Sequence, residues 1–302
     1  MQQVILQTGF QPNKLARSLA SDRSTFIGLV IPNDARSILS DPYFANLIQG
    51  MTQATNHLGL TLSLFLFHSI EEEIRTTHST LNTGLLDGLI ITADRKVDSF
   101  VPRVAEQGPP FILIGRPEPQ AQISYVDADN VVGGYLATSH LINLGRKRIA
   151  IIVSDRNTAG DDRYTGYRNA LRDHERSVEP TLVAHGDFSL MSGYRAMQEL
   201  LPQKPDAVFV SSDTMALGAQ RAIREAGLRM PEDMALVGFD DLDPAVHAEP
   251  QLTTIRQPVE KLGVTAVELL HKIVNGTAVL PTQVVLPVEL IIRASCGSRQ
   301  SE

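Results

Sequence analysis

The chain is predicted to be α/β, built as two doubly wound parallel-sheet lobes facing each other across a hinge. Three observations carry that reading: short Ile/Val/Leu-rich runs recur along the sequence, longer amphipathic segments alternate with them, and 302 residues at 43% apolar composition suffice for two cores of ordinary size. In order, the runs are FIGLVI (26–31), LTLSLFLF (60–67), LDGLIIT (86–92), FILIG (111–115), RIAIIVS (148–154), DAVFVSS (206–212) and MALVGFD (234–240). Near-continuous apolar character is what a strand covered by helices on both faces requires. Between the runs lie helical patterns: YFANLIQGMTQATNHLG (43–59), NVVGGYLATSHLINLG (130–145), TGYRNALRDH (165–174) and TMALGAQRAIREAG (214–227). Gly59, Gly145 and Gly227 stand where three of these should stop, because glycine enters the left-handed conformation that ends a helix without steric cost. Strand–helix alternation of this kind gives parallel sheets joined by right-handed crossovers.

The expected division places residues 24–128 and 258–282 in a first lobe and residues 129–257 and 283–302 in a second. A tail helix (258–274) and a tail strand (283–292) supply one late element to each. With no low-complexity linker between the lobes, more than one crossing of the chain should join them, which favours a cleft with a hinge.

Composition excludes several classes. Charged residues make up 20%, below the usual ~25%, so the chain is not a disordered or highly charged polymer. No stretch approaches the ~20 apolar residues of a membrane helix, and the start MQQVILQTGF lacks the basic and apolar regions of a signal peptide. Cys296 is the single cysteine, which rules out an internal disulfide and a cysteine-built zinc site. A reducing, cytoplasmic setting is expected, with no metal and no cofactor. The formal charge of -7 is unevenly spread: residues 1–23 carry +2 and the remaining 279 carry -9. An acidic body repels a polyanion, so any nucleic-acid contact should come from the basic start.

In open parallel sheets, ligands sit beyond the carboxyl ends of the strands. Polar residues stand at those ends: Asn33, Asp34, Asp94 and Arg116 in the first half, and Asp155, Ser212, Asp213, Asp240 and Asp241 in the second. Two lobes with facing polar strand ends make a cleft for a small molecule.

The segment Gly9-Phe10-Gln11-Pro12-Asn13-Lys14-Leu15-Ala16-Arg17-Ser18-Leu19, followed by Thr25-Phe26-Ile27-Gly28-Leu29-Val30-Ile31-Pro32, resembles the hinge and first strand of the LacI/GalR family of bacterial transcriptional regulators. The likeness continues through Asp41-Pro42-Tyr43-Phe44, Leu113-Ile114-Gly115-Arg116-Pro117, Arg163-Tyr164-Thr165-Gly166-Tyr167, Ser212-Asp213-Thr214-Met215-Ala216-Leu217-Gly218, Val237-Gly238-Phe239-Asp240-Asp241 and Leu252-Thr253-Thr254-Ile255-Arg256-Gln257-Pro258. It implies a core of periplasmic-binding-protein type I that binds a small effector, usually a sugar, between its lobes. It also implies a homodimer, and repression of transcription through operator DNA read by an N-terminal helix-turn-helix. Residues 1–23 match only the end of that headpiece's third helix and the hinge helix. Three accounts of this stand side by side: a shortened chain, a late gene start, or loss of the DNA reader. In the family, the hinge presses a leucine into a minor-groove step, an unstacking recovered through the bend it produces. Leu19 matches that leucine, with Asn13 and Arg17 in the same hinge; an ordinary solvated linker is the competing reading.

The resemblance also assigns effector contacts. Arg163 offers a planar fork of donors suited to adjacent hydroxyls; the alternative is a surface ion pair with Asp161 or Asp162. Asp240 ends a buried strand and can accept hydroxyl protons, or it caps the turn that follows. Ser212 stands where many relatives carry asparagine, and Asp213 either reaches the ligand or caps its helix. Gln257 points at the effector or bonds within a crossover strand. Tyr43, Phe44 and Phe188 match aromatic positions that flank effectors, flat faces suited to a sugar ring, although Phe44 also reads as a core residue. Arg116 departs from the aspartate that sugar-binding relatives often carry there, adding a cation and leaving a phosphorylated or acidic effector open. Asp241 and Asp243 lack the spacing and glycine of a calcium loop and read as caps or solvated groups.

Two rival functions are weaker. A transporter's periplasmic sugar-binding protein of the same fold would need a leader, and it would not need the hinge motif NKLARSL. An enzyme is not expected, since there is no G-x-S-x-G elbow, P-loop or H-E-x-x-H.

Overall fold

The computed structural model describes residues 24–31, 41–67, 69, 71–72, 75, 85–92, 100–117, 122–154 and 157–297. The hinge candidates Asn13, Arg17 and Leu19 lie outside them, as do the strand-end residues Asn33, Asp34, Asp94 and Asp155. Two six-stranded sheets form the frame. The first joins β1 (Phe26–Ile31), β2 (Thr61–Leu66), β3 (Gly88–Thr92), β4 (Phe111–Ile114), β5 (Tyr125–Ala128) and β11 (Gln283–Leu286), in the order β11-β5-β4-β3-β1-β2. Every pairing in it is parallel. The second joins β6 (Ile149–Ser154), β7 (Val183–Gly186), β8 (Ala207–Val210), β9 (Ala235–Asp240), β10 (Thr253–Arg256) and β12 (Glu289–Ile291), in the order β12-β10-β9-β8-β6-β7. Only β12 runs antiparallel to its neighbour.

Buried apolar runs explain the sheets. β1 and β3 are Ile/Leu/Val strands with nearly every side chain covered, and β6, β8 and β9 are fully buried. Helices close the faces: α1 (Pro42–Leu58), α2 (Phe100–Gln107) and α8 (Val259–Val274) in the first lobe. In the second lobe stand α3 (Asn130–Asn143), α4 (Thr158–Asp173), α5 (Leu190–Leu200), α6 (Asp213–Glu225) and the short α7 (Asp243–His247). α8 packs on α1, α3 on α4 and α5 on α6. Gly59, Gly145 and Gly227 adopt φ of +68°, +82° and +76° just past α1, α3 and α6, where the helices stop.

The chain crosses between lobes after β5, after β10 and between β11 and β12. The last crossing corrects the expected single strand over 283–292. Pro287 has no amide hydrogen to donate and falls between two short strands. Residues 283–286 therefore extend the first lobe's sheet, and only 289–291 pair in the second. Leu242, just beyond β9, is buried in the first lobe's core. Among the described residues, no helix is long and apolar enough to cross a membrane.

Candidate functional site

In each sheet the strand order reverses beside the first strand of the lobe, at β1/β3 and at β6/β8. A doubly wound sheet opens a crevice at that point, because successive crossovers leave to opposite faces. The two crevices face each other and form one partly open cleft.

Local sequence places each wall. Asp41 caps α1 by accepting the Tyr43 amide at 3.0 Å, and Pro42 starts the helix. This sets Tyr43 and Phe44 in the first turn, edge to face at 5.4 Å, against the cleft. Phe188 reaches the opposite wall from the turn before α5, with φ of +68°, a conformation costly for an aromatic residue. β9 ends in two such residues, Asp240 at φ +122° and Asp241 at φ +58°. Consecutive left-handed side chains at a ligand-facing strand end are the kind of stored strain that functional sites retain.

Arg163 sits in the first turns of α4, whose cap Asn157 accepts the Gly160 amide. It is 4% exposed, with its guanidinium 3.6 Å from the centre of the Phe239 ring. Its Nε donates to Asn130 Oδ1 at 2.9 Å and its Nη1 to the Ser211 carbonyl at 2.5 Å. Those bonds use two of its five donors, and the side chain lines the cleft. Asp240 accepts from Gln257 Nε2 at 2.6 Å and lies 3.7 Å from the Arg163 guanidinium. Burial pushes the Asp240 carboxyl up to about 7, with Arg163 pulling the other way. Asp127 is likewise raised by burial, to about 6. Glycines make this arrangement possible. A Cβ at Gly166 would collide with the Val131 carbonyl and one at Gly134 with the Arg163 carbonyl, so α3 and α4 touch at backbone distance.

The structure thus brings Tyr43, Phe44, Arg163, Phe188, Asp240 and Gln257 together on the cleft. It does not bring the other three. Ser212 caps α6 by accepting the Met215 amide and is buried away from the cleft. Asp213 is also buried behind it, accepting Thr254 Oγ1 at 2.6 Å and the Leu242 amide at 3.2 Å, so it ties β10 and the end of β9 to α6. Ser212 turns back to its own helix's free amide and Asp213 is engaged by Thr254 and Leu242, which removes both from the ligand wall. Arg116 is held by Asp162, Nε at 2.8 Å and Nη2 at 2.6 Å, and is not among the residues that line the cleft. Asp162 therefore pairs with Arg116, not with Arg163. Asp241 is neither a cap nor a solvated group: it is buried and paired with Arg256 and Arg293.

Sequence reasoning missed Asp41, Thr92, Asp127, Asn130, Asn157, Thr158 and Asp187, all on the cleft wall. Thr92 ends β3, and its hydroxyl is buried with no hydrogen-bond partner among the described residues. The strand-end rule that selected Asp240 would have found it. Among the described residues, no cluster of three or more His, Cys, Asp or Glu could hold a metal ion.

Residues 138–296 match the periplasmic binding protein-like domain family. Over 98% of its length the chain is 37% identical to the HTH-type transcriptional regulator CelR of Thermobifida fusca, covering 88% of that protein. Over 96% it is 33% identical to the transcriptional repressor CytR of Escherichia coli K12, covering 84% of it. The solved CelR–cellobiose complex superposes with a TM-score of 0.87 at 35% identity, over 97% of this chain and 89% of that one. The lac repressor dimer bound to operator and the anti-inducer ONPF gives 0.84 at 26% identity, over 98% of this chain and 88% of that one.

Proposed function

The chain belongs to the LacI family of transcriptional regulators, and from that premise we propose that its interlobe cleft takes a small, neutral, polyhydroxylated effector of the sugar class that controls operator binding. The carrying observation is the charge and donor pattern of the cleft wall. Among the described residues, four carboxyl groups (Asp41, Asp127, Asp187 and Asp240) line it against one guanidinium, that of Arg163, since Arg116 is engaged by Asp162. An acceptor-rich wall receives hydroxyl protons and repels phosphate, so the acidic effector left open by Arg116 is disfavoured. Thr92 supplies a buried hydroxyl with no partner among the described residues, and Tyr43, Phe44 and Phe188 supply faces for the apolar side of a sugar ring. CelR's structure with cellobiose makes cellobiose the first probe.

We further infer that the chain works as a homodimer in the cytoplasm and regulates rather than catalyses, in keeping with its relatives CelR and CytR, which are transcriptional regulators. A thermal-shift panel tests the reading. Cellobiose, ribose and glucose are set against their phosphates, because a ligand at a hundred times its Kd adds about 2.7 kcal/mol of stability. A rise in melting temperature with a neutral sugar is expected; rises with phosphates alone would overturn the proposal.

A further inference from the structure

Arg116 leaves the first lobe just past the end of β4, and Asp162 stands just past the first turn of α4 in the second lobe. Their bidentate ion pair therefore spans the cleft, with the side chains 33% and 13% exposed. A second tie runs through the same residue, because Thr158 Oγ1 donates to the Arg116 carbonyl at 2.5 Å. The Arg116 amide is itself pinned to Asp127 Oδ2 at 3.1 Å. From Asp127 the network continues through Asn130 to Arg163 and so to Asp240 and Gln257. Asp162 directly precedes Arg163, so the same helical turn that grips Arg116 presents the cleft's guanidinium.

We propose that Arg116 and Asp162 form an interlobe clasp: positioning residues that hold the lobes closed and keep Arg163 in register for the effector, without touching the effector themselves. The physical ground is that a two-pronged guanidinium–carboxylate bond is directional and partly shielded from water, so lobe separation must break it. Both side chains sit outside the two cores, which leaves them free to break and re-form as the hinge moves. The clasp deepens the effector reading, but its test does not require an effector.

The test compares small-angle X-ray scattering of the sugar-free full chain with that of Arg116→Met, Asp162→Asn and the exchanged pair Arg116→Asp with Asp162→Arg. Each single variant is expected to give a larger radius of gyration, and the exchanged pair to return it toward wild type. If loss of the clasp leaves about one molecule in ten closed, apparent cellobiose affinity falls about tenfold in the single variants. Unchanged scattering in both single variants overturns the clasp. So does expansion that the exchanged pair fails to reverse, or loss of cooperative unfolding, since a clasp outside the cores leaves both lobes folded. A wild type that ignores cellobiose counts against the effector reading alone, while the scattering arm still decides the clasp.

Discussion

Replacing Gly166 by alanine sets two well-known effects against each other. In a helix interior alanine is favoured over glycine by about 1 kcal/mol, and Gly166 lies inside α4. At this position the added methyl meets backbone on three sides: the Val131 carbonyl, the Tyr135 amide nitrogen and the Gly134 carbonyl carbon. None of these is the end of a flexible side chain, so relief requires α3 and α4 to separate. Overpacking of a close contact costs typically 1–3 kcal/mol, and with rigid neighbours the upper half of that range applies, for a net loss of roughly 1–2 kcal/mol. Separation of the helices also displaces Arg163, one turn earlier on α4, from Asn130 on α3. Urea unfolding should show the lower midpoint with an unchanged slope, and calorimetry should show weaker cellobiose binding. An alanine variant as stable as wild type, or more so, would refute the backbone-contact argument.

Further outcomes follow from the same geometry. Ser212→Ala should cost about 1 kcal/mol by removing the cap of α6 while leaving cellobiose affinity unchanged; weakened binding at equal stability would return Ser212 to the effector wall. Gly59→Ala has open space around it but a φ of +68°, so it should lose about 1–2 kcal/mol through left-handed strain alone, as read by thermal unfolding. For pH, the raised carboxyls set the sign. Asp240 at about 7 and Asp127 at about 6 keep protons in the folded state that the unfolded chain has released, so their contribution to stability is lost as pH rises from about 4 through 7. Asp240→Asn should flatten that slope in denaturant titrations. Sugar hydroxyls favour the ionised carboxylate, so cellobiose affinity should rise over the same interval; a fall would show that Asp240 donates.

Much of this architecture was legible because parallel strands bury both faces and so announce themselves as apolar runs. β1 coincides with its run and the other six apolar runs differ from their strands only at the ends, whereas the expected tail strand over 283–292 splits between the two sheets. What escaped has a physical reason in each case. β5 (YVDA), β7 (VAHG) and β10 (TTIR) are four residues long and carry polar side chains, because they lie at or near sheet edges or feed the hinge. Missing β5 concealed Asp127, and with it the bond network from Asn130 to Arg163. The expected site residues that do line the cleft, such as Asp240 and Gln257, sit at or just past strand ends, where topology alone points them inward. The misread ones, Ser212, Asp213 and Arg116, satisfy partners that only three dimensions reveal: a helix's own amides, a threonine on β10, and an aspartate across the cleft.

The central claim is that the cleft between the lobes binds a neutral sugar through Asp240 and its neighbours. Calorimetric titration of the chain with cellobiose, beside the same titration of Asp240→Asn, tests it most directly. The account predicts one saturable site per chain and a loss of about tenfold or more in the variant, as expected for a hydrogen bond to a charged acceptor. Equal affinity in the two proteins, or saturation by sugar phosphates with no heat from cellobiose, would contradict it.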